Sequence, residues 1–239
     1  MDIVEGILLK SVPYGENQTI VNLFTKQEGF MVMITPLHKS RRRIPYSVMQ
    51  ECEVEYVKND RGGLHRLMAI TPLDKASGLH LDVERGGYAQ LWGSLLASLL
   101  RDQGADSALY GYVVRAVELL ESYDGEYMNL TLLFMGRLAT FLGVKPNIES
   151  YKRGRVFHIG RGEFIDTGTF AAGELVSGPN VAEAIYRFMT MEIERVGTLK
   201  INFKSFEIVL ETLLLFYEHH FAVKFDKTAI AIIKEILNG

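Results

Sequence analysis

The chain has 239 residues, of which 48% are hydrophobic and 23% are charged, and its formal net charge is −3. This length accommodates one large or two small domains, and the composition is that of a globular protein, which excludes a disordered chain. The net charge excludes a uniformly basic coat for nucleic acid, so any such affinity has to come from a local, salt-sensitive patch.

The single cysteine, Cys52, excludes an intramolecular disulfide framework and a cysteine-rich zinc site. The first residues carry no visible signal peptide. The apolar runs, such as residues 213–216, are far shorter than the roughly 20 residues that a membrane-spanning helix needs. We therefore expect a cytoplasmic protein that does not cross a membrane and holds no metal or other cofactor.

Residues 3–71 predict five short strands. The strands are expected at residues 3–10, 19–24, 30–34, 48–58 and 64–71. In the fourth, Cys52, Val54 and Tyr56 alternate with glutamates, which is the period-two pattern of a strand with one face in solvent. The turn at 59–63 (NDRGG) is typical of a hairpin. Five strands with a turn about every ten residues predict a five-stranded OB-fold β-barrel.

From about residue 80 the apolar residues follow helical spacing. Helices are predicted at residues 86–100, 107–122, 129–143, 180–196, 203–220 and 227–237. Asp106 and Asn129 are expected to cap the second and third helices. The fifth is hydrophobic almost all round, which predicts the buried centre of a bundle.

A β-hairpin around Gly160-Arg161-Gly162 interrupts these helices at about residues 150–170. The predicted fold class is therefore α+β. An N-terminal OB-fold barrel (1–78) is followed by an all-α helical bundle (79–239) with an inserted β-hairpin.

The strongest candidate site is a basic segment within residues 29–50, a stretch without any acidic residue. Its cations are Lys39, Arg41, Arg42 and Arg43. Because arginine forks match phosphate oxygens and stack on bases, we interpret the segment as a DNA-binding loop of the barrel. The alternative is a solvated turn. Lys26 and Tyr46 complete the predicted set, and Tyr14, Phe24 and Phe30 are either stacking surfaces or core.

A second candidate lies on the third predicted helix. Arg137 shares an apolar face with Phe134 and Phe141. Either the arginine snorkels to water, or it is a cation at the rim of an apolar pocket that suits a carboxylate attached to a hydrophobic side chain. Both interpretations stay open.

Enzyme signatures are mostly absent. The sequence contains none of the glycine-rich nucleotide motifs, the zinc-protease motif or the hydrolase nucleophile motif. His219 and His220 are adjacent, so on a helix they point in different directions and make a poor metal pair. Cys52 alternates inward with apolar residues, which favours a buried thiol over a nucleophile. We therefore expect a protein that is not an enzyme.

Several short motifs, in order, resemble those of a known family. They are Glu5-Gly6-Ile7-Leu8-Leu9, Tyr14-Gly15-Glu16, Leu23-Phe24-Thr25 with Gly29 after it, Lys39-Ser40, Gln50 and Lys227-Thr228. Their order and spacing resemble the bacterial RecO recombination-mediator proteins, across the barrel half and more loosely across the whole chain.

This resemblance implies a non-catalytic role in DNA repair and recombination. Such proteins bind single- and double-stranded DNA, anneal complementary strands, and load recombinase with RecR and single-stranded-DNA-binding protein. It also implies that the chain acts at the nucleoid, and that the Arg137 face takes the acidic, Phe-ending tail of single-stranded-DNA-binding protein. The competing hypothesis is a protein-interaction adaptor with no direct DNA binding.

Two features depart from the family pattern. Many relatives carry four zinc-binding cysteines in the helical half, and residues 144–170 have none. Pro36-Leu37-His38 replaces the Gly-Ala-Arg that often precedes the basic loop. We therefore predict no structural zinc, with the hairpin held instead by apolar packing of Val156, Phe157, Ile159 and Phe164.

Overall fold

The computed structural model describes residues 1–36, 47–73, 79, 82–226 and 228–238. The strands are β1 (Asp2–Tyr14), β2 (Gln18–Thr25), β3 (Gly29–Pro36), β4 (Glu51–Val57), β5 (His65–Pro72), β6 (Val156–His158) and β7 (Glu163–Ile165). The α-helices are α1 (Val83–Leu99), α2 (Ser107–Ser122), α3 (Tyr127–Phe141), α4 (Pro179–Thr190), α5 (Phe203–Phe221) and α6 (Thr228–Asn238). Short 3-10 helices lie at Ile148–Ser150 and Ile193–Thr198.

The first five strands close into a barrel in the order β1-β2-β3-β5-β4. Neighbouring strands are antiparallel except β3 and β5, which run parallel with Met33 beside His65 and Ile34 beside Arg66. A closed five-stranded barrel followed by a helical region is the architecture predicted from the sequence, and it confirms the OB-fold and the α+β class.

Alternation of apolar and polar residues fills the barrel interior. In β4, the side chains of Cys52, Val54 and Tyr56 are buried, while the intervening glutamates face outward, as the period-two pattern predicts. Burial of an aliphatic side chain such as Val54 stabilises the fold by about 1.5–3 kcal/mol. The core of the barrel consists of Val4, Leu8, Val21, Leu23, Met31, Met33, Cys52, Val54, Tyr56 and Leu67.

Helix α1 lies against β1 at a point where only glycine fits. The pairing of β1 with β2 is irregular between Leu8 and Lys10, and Leu8 and Leu9 are both buried. A Cβ added to Gly93 of α1 would meet the Leu9 carbonyl oxygen at 2.3 Å. The close approach of α1 to the strand therefore depends on the absence of a side chain at this position.

The chain divides into two compact units, and the division does not follow the change from strands to helices. One unit comprises residues 1–122 and 226–239, and the other comprises residues 123–225. Helices α1, α2 and α6 therefore belong to the same unit as the barrel, although the sequence analysis places the boundary at residue 78.

The unit of residues 123–225 contains α3, α4 and α5 together with the hairpin β6–β7. The predicted hairpin is confirmed, and its four predicted packing residues, Val156, Phe157, Ile159 and Phe164, are all buried. In α5, Ile208 is 43% exposed and Leu215 is 41% exposed. The expectation that this helix is buried all round is therefore wrong for one of its faces.

Two of the predicted helix starts have different outcomes. Asp106 accepts hydrogen bonds from the backbone N–H groups of Ala108 (2.9 Å) and Leu109 (2.9 Å), so its predicted cap is confirmed. Asn129 is wrong as a cap, because α3 begins at Tyr127 and Asn129 is buried inside the unit. Helix α4 ends at Thr190 and not at 196, because the chain continues into the 3-10 helix.

No helix in the described part of the chain is both long and apolar enough to span a membrane. Across those same residues, no three histidine, cysteine, aspartate or glutamate side chains come close enough together to hold a metal ion.

Candidate nucleic-acid interface

The predicted basic loop connects β3 to β4. Lys39, Arg41, Arg42, Arg43 and Tyr46 lie outside the described residues. The strand ends on either side of them are described, and these ends show which part of the barrel carries the connection.

The connection returns to the barrel through a tight turn before β4. Met49 is buried in the left-handed region with φ 68°, and its N–H donates to the Leu8 carbonyl (2.6 Å). The Leu8 N–H in turn donates to the Gln50 carbonyl (3.0 Å). The Ser47 N–H donates to the Gln50 side chain (2.9 Å). Residues 47–50 are therefore fixed to β1.

The strand register shows what surrounds the other end of the connection, at Pro36. Pro36 pairs with Gln18, which pairs with Tyr14 across the β1–β2 hairpin. Two residues back along β3, a row of paired positions crosses four strands. This row runs through Val12, Ile20, Ile34 and Arg66. The basic connection therefore leaves the barrel beside the β1–β2 turn and beside the start of β5.

The turn before β5 brings further cations to this part of the barrel. Asn59 accepts a hydrogen bond from the Arg61 N–H (3.1 Å) and donates to the Gly62 carbonyl (2.9 Å). Gly62 and Gly63 both have positive φ, a backbone conformation that residues with a side chain rarely adopt. Lys58, Arg61 and the neighbouring Arg66 are all exposed. The sequence analysis recognised this turn but not its contribution to the site.

The outer face of β1–β2–β3 is aliphatic more than aromatic. Ile20, Val32 and Ile34 are half-buried there. Among the proposed stacking residues in the described part, Tyr14 is 56% exposed and Phe30 is half-buried. Phe24 is fully buried against Tyr110, with ring centroids 5.8 Å apart, so it belongs to the core.

A different side of the barrel is acidic. Glu51, Glu53 and Glu55 face outward from β4, and Glu53 pairs with Glu5 of β1. Val57 at the end of β4 pairs with Arg66, so these glutamates lie on the strand next to β5. Their carboxylates disfavour a polyanion along β4 itself.

Lys26 lies at the other end of the barrel. Lys26 follows the last residue of β2, whereas Pro36 pairs with Gln18, the first residue of that strand. At about 3.3 Å per residue over the eight residues from Gln18 to Lys26, the two positions are about 26 Å apart. The ammonium group of Lys26 also forms an ion pair with Glu5 at 3.3 Å. The structure therefore does not bring Lys26 together with the basic connection.

Of the residues predicted to bind a partner, Arg137 is half-buried and its Nη2 donates to the Met191 carbonyl (2.6 Å). Met191 is the C-cap of α4, so the guanidinium satisfies a carbonyl at that helix end. Phe134 is only 2% exposed, whereas Phe141 is 38% exposed. Arg137 and Phe141 are therefore partly accessible to solvent, whereas Phe134 is buried.

The sequence analysis missed a groove of about 750 Å³ between α4 and the start of α5. Apolar side chains, including Val181, Phe188 and Ile208, line it. Arg187 and Lys200 also border it. The signal in the sequence was the apolar pair Leu199 and Ile201 in a segment without regular spacing, which does not indicate a groove by itself.

Cys52 is not a reactive group. Burial in the barrel, together with the neighbouring charge of Glu51, raises the pKa of the Cys52 thiol to about 12. The thiol therefore stays protonated at neutral pH, as expected for a buried, inert cysteine.

The barrel topology and the turns that border its outer face define the class: an OB-fold protein with a helical region. Two family models match it, described as the recombination protein O N terminal (residues 1–76) and the recombination protein O C terminal (residues 80–229). The chain therefore belongs to the RecO family of DNA repair and recombination proteins.

Individual relatives agree with this assignment. The chain is 26% identical to the DNA repair protein RecO of Christiangramia forsetii over 238 residues, which is 97% of each protein. It is 24% identical to the DNA repair protein RecO of Phocaeicola vulgatus over 205 residues, covering 80% of this chain and 84% of the relative. The resemblance described from the short motifs is confirmed.

Proposed function

We propose that the protein is a non-catalytic recombination mediator that binds single- and double-stranded DNA through the outer face of its barrel. The proposed contacts are Lys39, Arg41, Arg42, Arg43 and Tyr46 in the β3–β4 connection, joined by Lys58 and Arg61 of the β4–β5 turn and by Arg66 of β5. The strand register supports this proposal most directly. Pro36, where the connection leaves β3, pairs with Gln18 next to the β1–β2 turn, and Ile34 of the same strand pairs with Arg66 of β5. OB-folds bind oligonucleotides with this face and these loops.

Because this face carries half-buried aliphatic side chains more than aromatic rings, contacts of the surrounding cations with the DNA backbone are favoured over base stacking. Lysine and arginine contacts to phosphates carry no sequence information, which suits a protein that acts on any broken or gapped DNA. Neutralising the phosphates of two strands also supports annealing of complementary sequences. Such a protein would act at the nucleoid.

The proposed protein partners are RecR and single-stranded-DNA-binding protein. For the acidic, Phe-ending tail of the latter, the proposed site is Arg137 with Phe141, above Phe134. A terminal carboxylate paired with an arginine at a partly buried site contributes about 1.5–3 kcal/mol. The groove bordered by Arg187 and Lys200 offers a second position with the same chemistry.

Two single variants separate these positions for the tail. If the tail binds at α3, Arg137→Ala weakens binding of a tail peptide about tenfold or more, while Lys200→Ala leaves it unchanged. If the tail binds in the groove, Lys200→Ala weakens binding of the peptide and Arg137→Ala leaves it unchanged. Fluorescence anisotropy of a labelled peptide measures both, and thermal melting checks that Arg137→Ala keeps the end of α4 in place.

The alternative function is a protein-interaction adaptor that does not touch DNA. A gel-shift assay at low salt with single- and double-stranded oligonucleotides separates the two functions. The proposed function requires a shift with both, followed by annealing of complementary strands. If neither oligonucleotide shifts, DNA binding is contradicted and the adaptor function is favoured.

A further inference from the structure

Two tyrosines in the unit of residues 123–225 form a stacked pair. The rings of Tyr151 and Tyr186 have centroids 4.0 Å apart and planes within 11° of parallel. Phe164 lies edge-on to both rings, at 5.2 Å from Tyr151 and 6.3 Å from Tyr186. Both tyrosines are half-buried. We call Tyr151 and Tyr186 the tyrosine platform.

A basic turn follows the platform directly. The Arg155 N–H donates to the Lys152 carbonyl (3.0 Å), and Gly154 in this turn has φ +89°, a conformation that favours glycine. Lys152 and Arg153 are exposed, and neither forms an ion pair with the residues that the structure describes. These two cations are therefore available to a ligand beside Tyr151.

Arg155 has a different role from its two neighbours. Its guanidinium makes two hydrogen bonds of 2.9 Å to the two carboxylate oxygens of Asp166, which follows β7. A third hydrogen bond goes to the Ser150 carbonyl (2.6 Å). Arg155 thus fixes the turn to the hairpin and holds Lys152 and Arg153 in position without being needed by a ligand.

The electrostatic surroundings of the platform also suit an anion. Burial raises the pKa of the Tyr151 hydroxyl, with a smaller contribution from Glu183, so the hydroxyl carries no charge at neutral pH. Arg187 and Arg153 act in the opposite direction on this pKa, which places both cations within electrostatic range of the ring. Glu183 is itself paired with Arg187 at 2.5 Å.

We propose that the tyrosine platform and the Lys152–Arg153 turn form a second binding surface for single-stranded DNA, separate from the barrel face. An unpaired base extends the Tyr151–Tyr186 stack, and the adjoining phosphates contact Lys152 and Arg153. Aromatic rings beside cations are the usual means of binding a single strand without reading its sequence. The role of this surface in annealing rests on the proposed DNA-binding function, because a protein that anneals has to hold two strands.

The choice of a single strand follows from the stacking. Bases in a duplex already stack on their neighbours and do not reach a protein ring without being flipped out. Loss of the ring at Tyr151 therefore has to weaken binding of a single strand and leave binding of a duplex intact. Loss of the two cations weakens both, because both kinds of DNA carry phosphates.

Three variants of the full-length protein test this with labelled oligothymidine and a labelled duplex. Tyr151→Leu keeps apolar contact with Phe164 but removes the stacking face, and we expect single-strand affinity to fall about fivefold or more with duplex affinity unchanged. Lys152→Ala with Arg153→Ala lowers both affinities. The control, Arg195→Ala with Lys204→Ala, removes two exposed charges of the same unit and leaves both affinities unchanged.

Photocrosslinking gives a readout that does not depend on any variant. Oligothymidine carrying 5-iodouracil crosslinks to stacked aromatic rings, and we expect the peptide that contains Tyr151 to carry the crosslink, in addition to peptides of the barrel. Crosslinks only in barrel peptides, with Tyr151→Leu binding like the parent, overturn the second surface and leave the barrel proposal standing. Crosslinks at Tyr151 without any in the barrel support the second surface and contradict the barrel proposal. No binding by the parent protein contradicts both.

Discussion

Asn129 illustrates how a single buried amide joins two parts of the chain that lie far apart in sequence. Its Nδ2 donates to the carbonyls of Val196 (3.1 Å) and Leu199 (2.7 Å). An asparagine close to a helix start has the sequence pattern of a cap, and only the packing of the 3-10 helix against α3 reveals its actual partners. This is why sequence analysis assigned it incorrectly.

Replacing Asn129 by alanine is therefore expected to destabilise the protein. The change leaves two carbonyls without the amide donor, and an unsatisfied buried group costs about 1–3 kcal/mol. Urea unfolding measures the difference, and Asn180→Ala, an exposed asparagine near the start of α4, is the matched control with a change within about 0.5 kcal/mol. Equal stability of the two variants would show that the buried amide contributes nothing.

Cys52 makes a prediction about alkaline pH. Because burial raises the pKa of the Cys52 thiol from its ordinary value of 9.0 to about 12, the folded state keeps a proton that the unfolded state loses. The resulting stability is complete below pH 9 and is lost as the pH rises from 9 towards 12. Cys52→Ala should therefore show a smaller loss of melting temperature than the parent between pH 8.5 and pH 10.5.

The parent's thiol should also resist alkylation by iodoacetamide at pH 8 until the protein is unfolded. Rapid labelling of the native protein would show that the thiol is not buried as described.

At the scale of elements, glycines in two different helices have opposite roles. Gly93 in α1 has the Leu9 carbonyl oxygen 2.3 Å from the position of an added Cβ, whereas an added Cβ at Gly111 in α2 meets no atom of the described residues within 4 Å. Gly93→Ala should destabilise the protein by about 1–3 kcal/mol through overpacking. Gly111→Ala should stabilise it by up to about 1 kcal/mol, because alanine is the better helix former. Thermal melting of the two variants, which add the same methyl group, compares them directly, and similar melting temperatures would contradict the close packing of α1 on β1.

The elements themselves follow from local patterns in the sequence. Period-two alternation identifies β4, the NDRGG turn identifies the hairpin before β5, and Asp106 identifies the start of α2. The parallel pairing of Ile34 with Arg66 does not follow from any local pattern, since it joins strands that are separated by all of β4. That pairing is also what brings Arg66 to the candidate interface, so the site could be predicted only as a basic loop and not as a surface.

At the scale of the whole molecule, the barrel is acidic along the outer face of β4 and carries exposed cations at the β4–β5 turn. The unit of residues 123–225 carries further candidate surfaces, which are the groove between α4 and α5 and the tyrosine platform. Membership of α6 in the barrel unit was not predictable, because nothing in the sequence of the last helix specifies its partner. The acidic outer face of β4 follows from simple alternation, and it disfavours DNA contacts along that strand.

The most direct test of DNA binding by the barrel is the salt dependence of single-strand affinity. For single strands, log K falls with log salt by about 0.7 for each phosphate neutralised. Replacing Arg41, Arg42 and Arg43 by alanine is predicted to lower the magnitude of that slope by up to about 2, and to weaken binding of all sequences alike. Annealing should fall in step, and the melting temperature should stay close to that of the parent. A triple variant that keeps its salt slope and its annealing rate would contradict the proposal that this connection binds DNA.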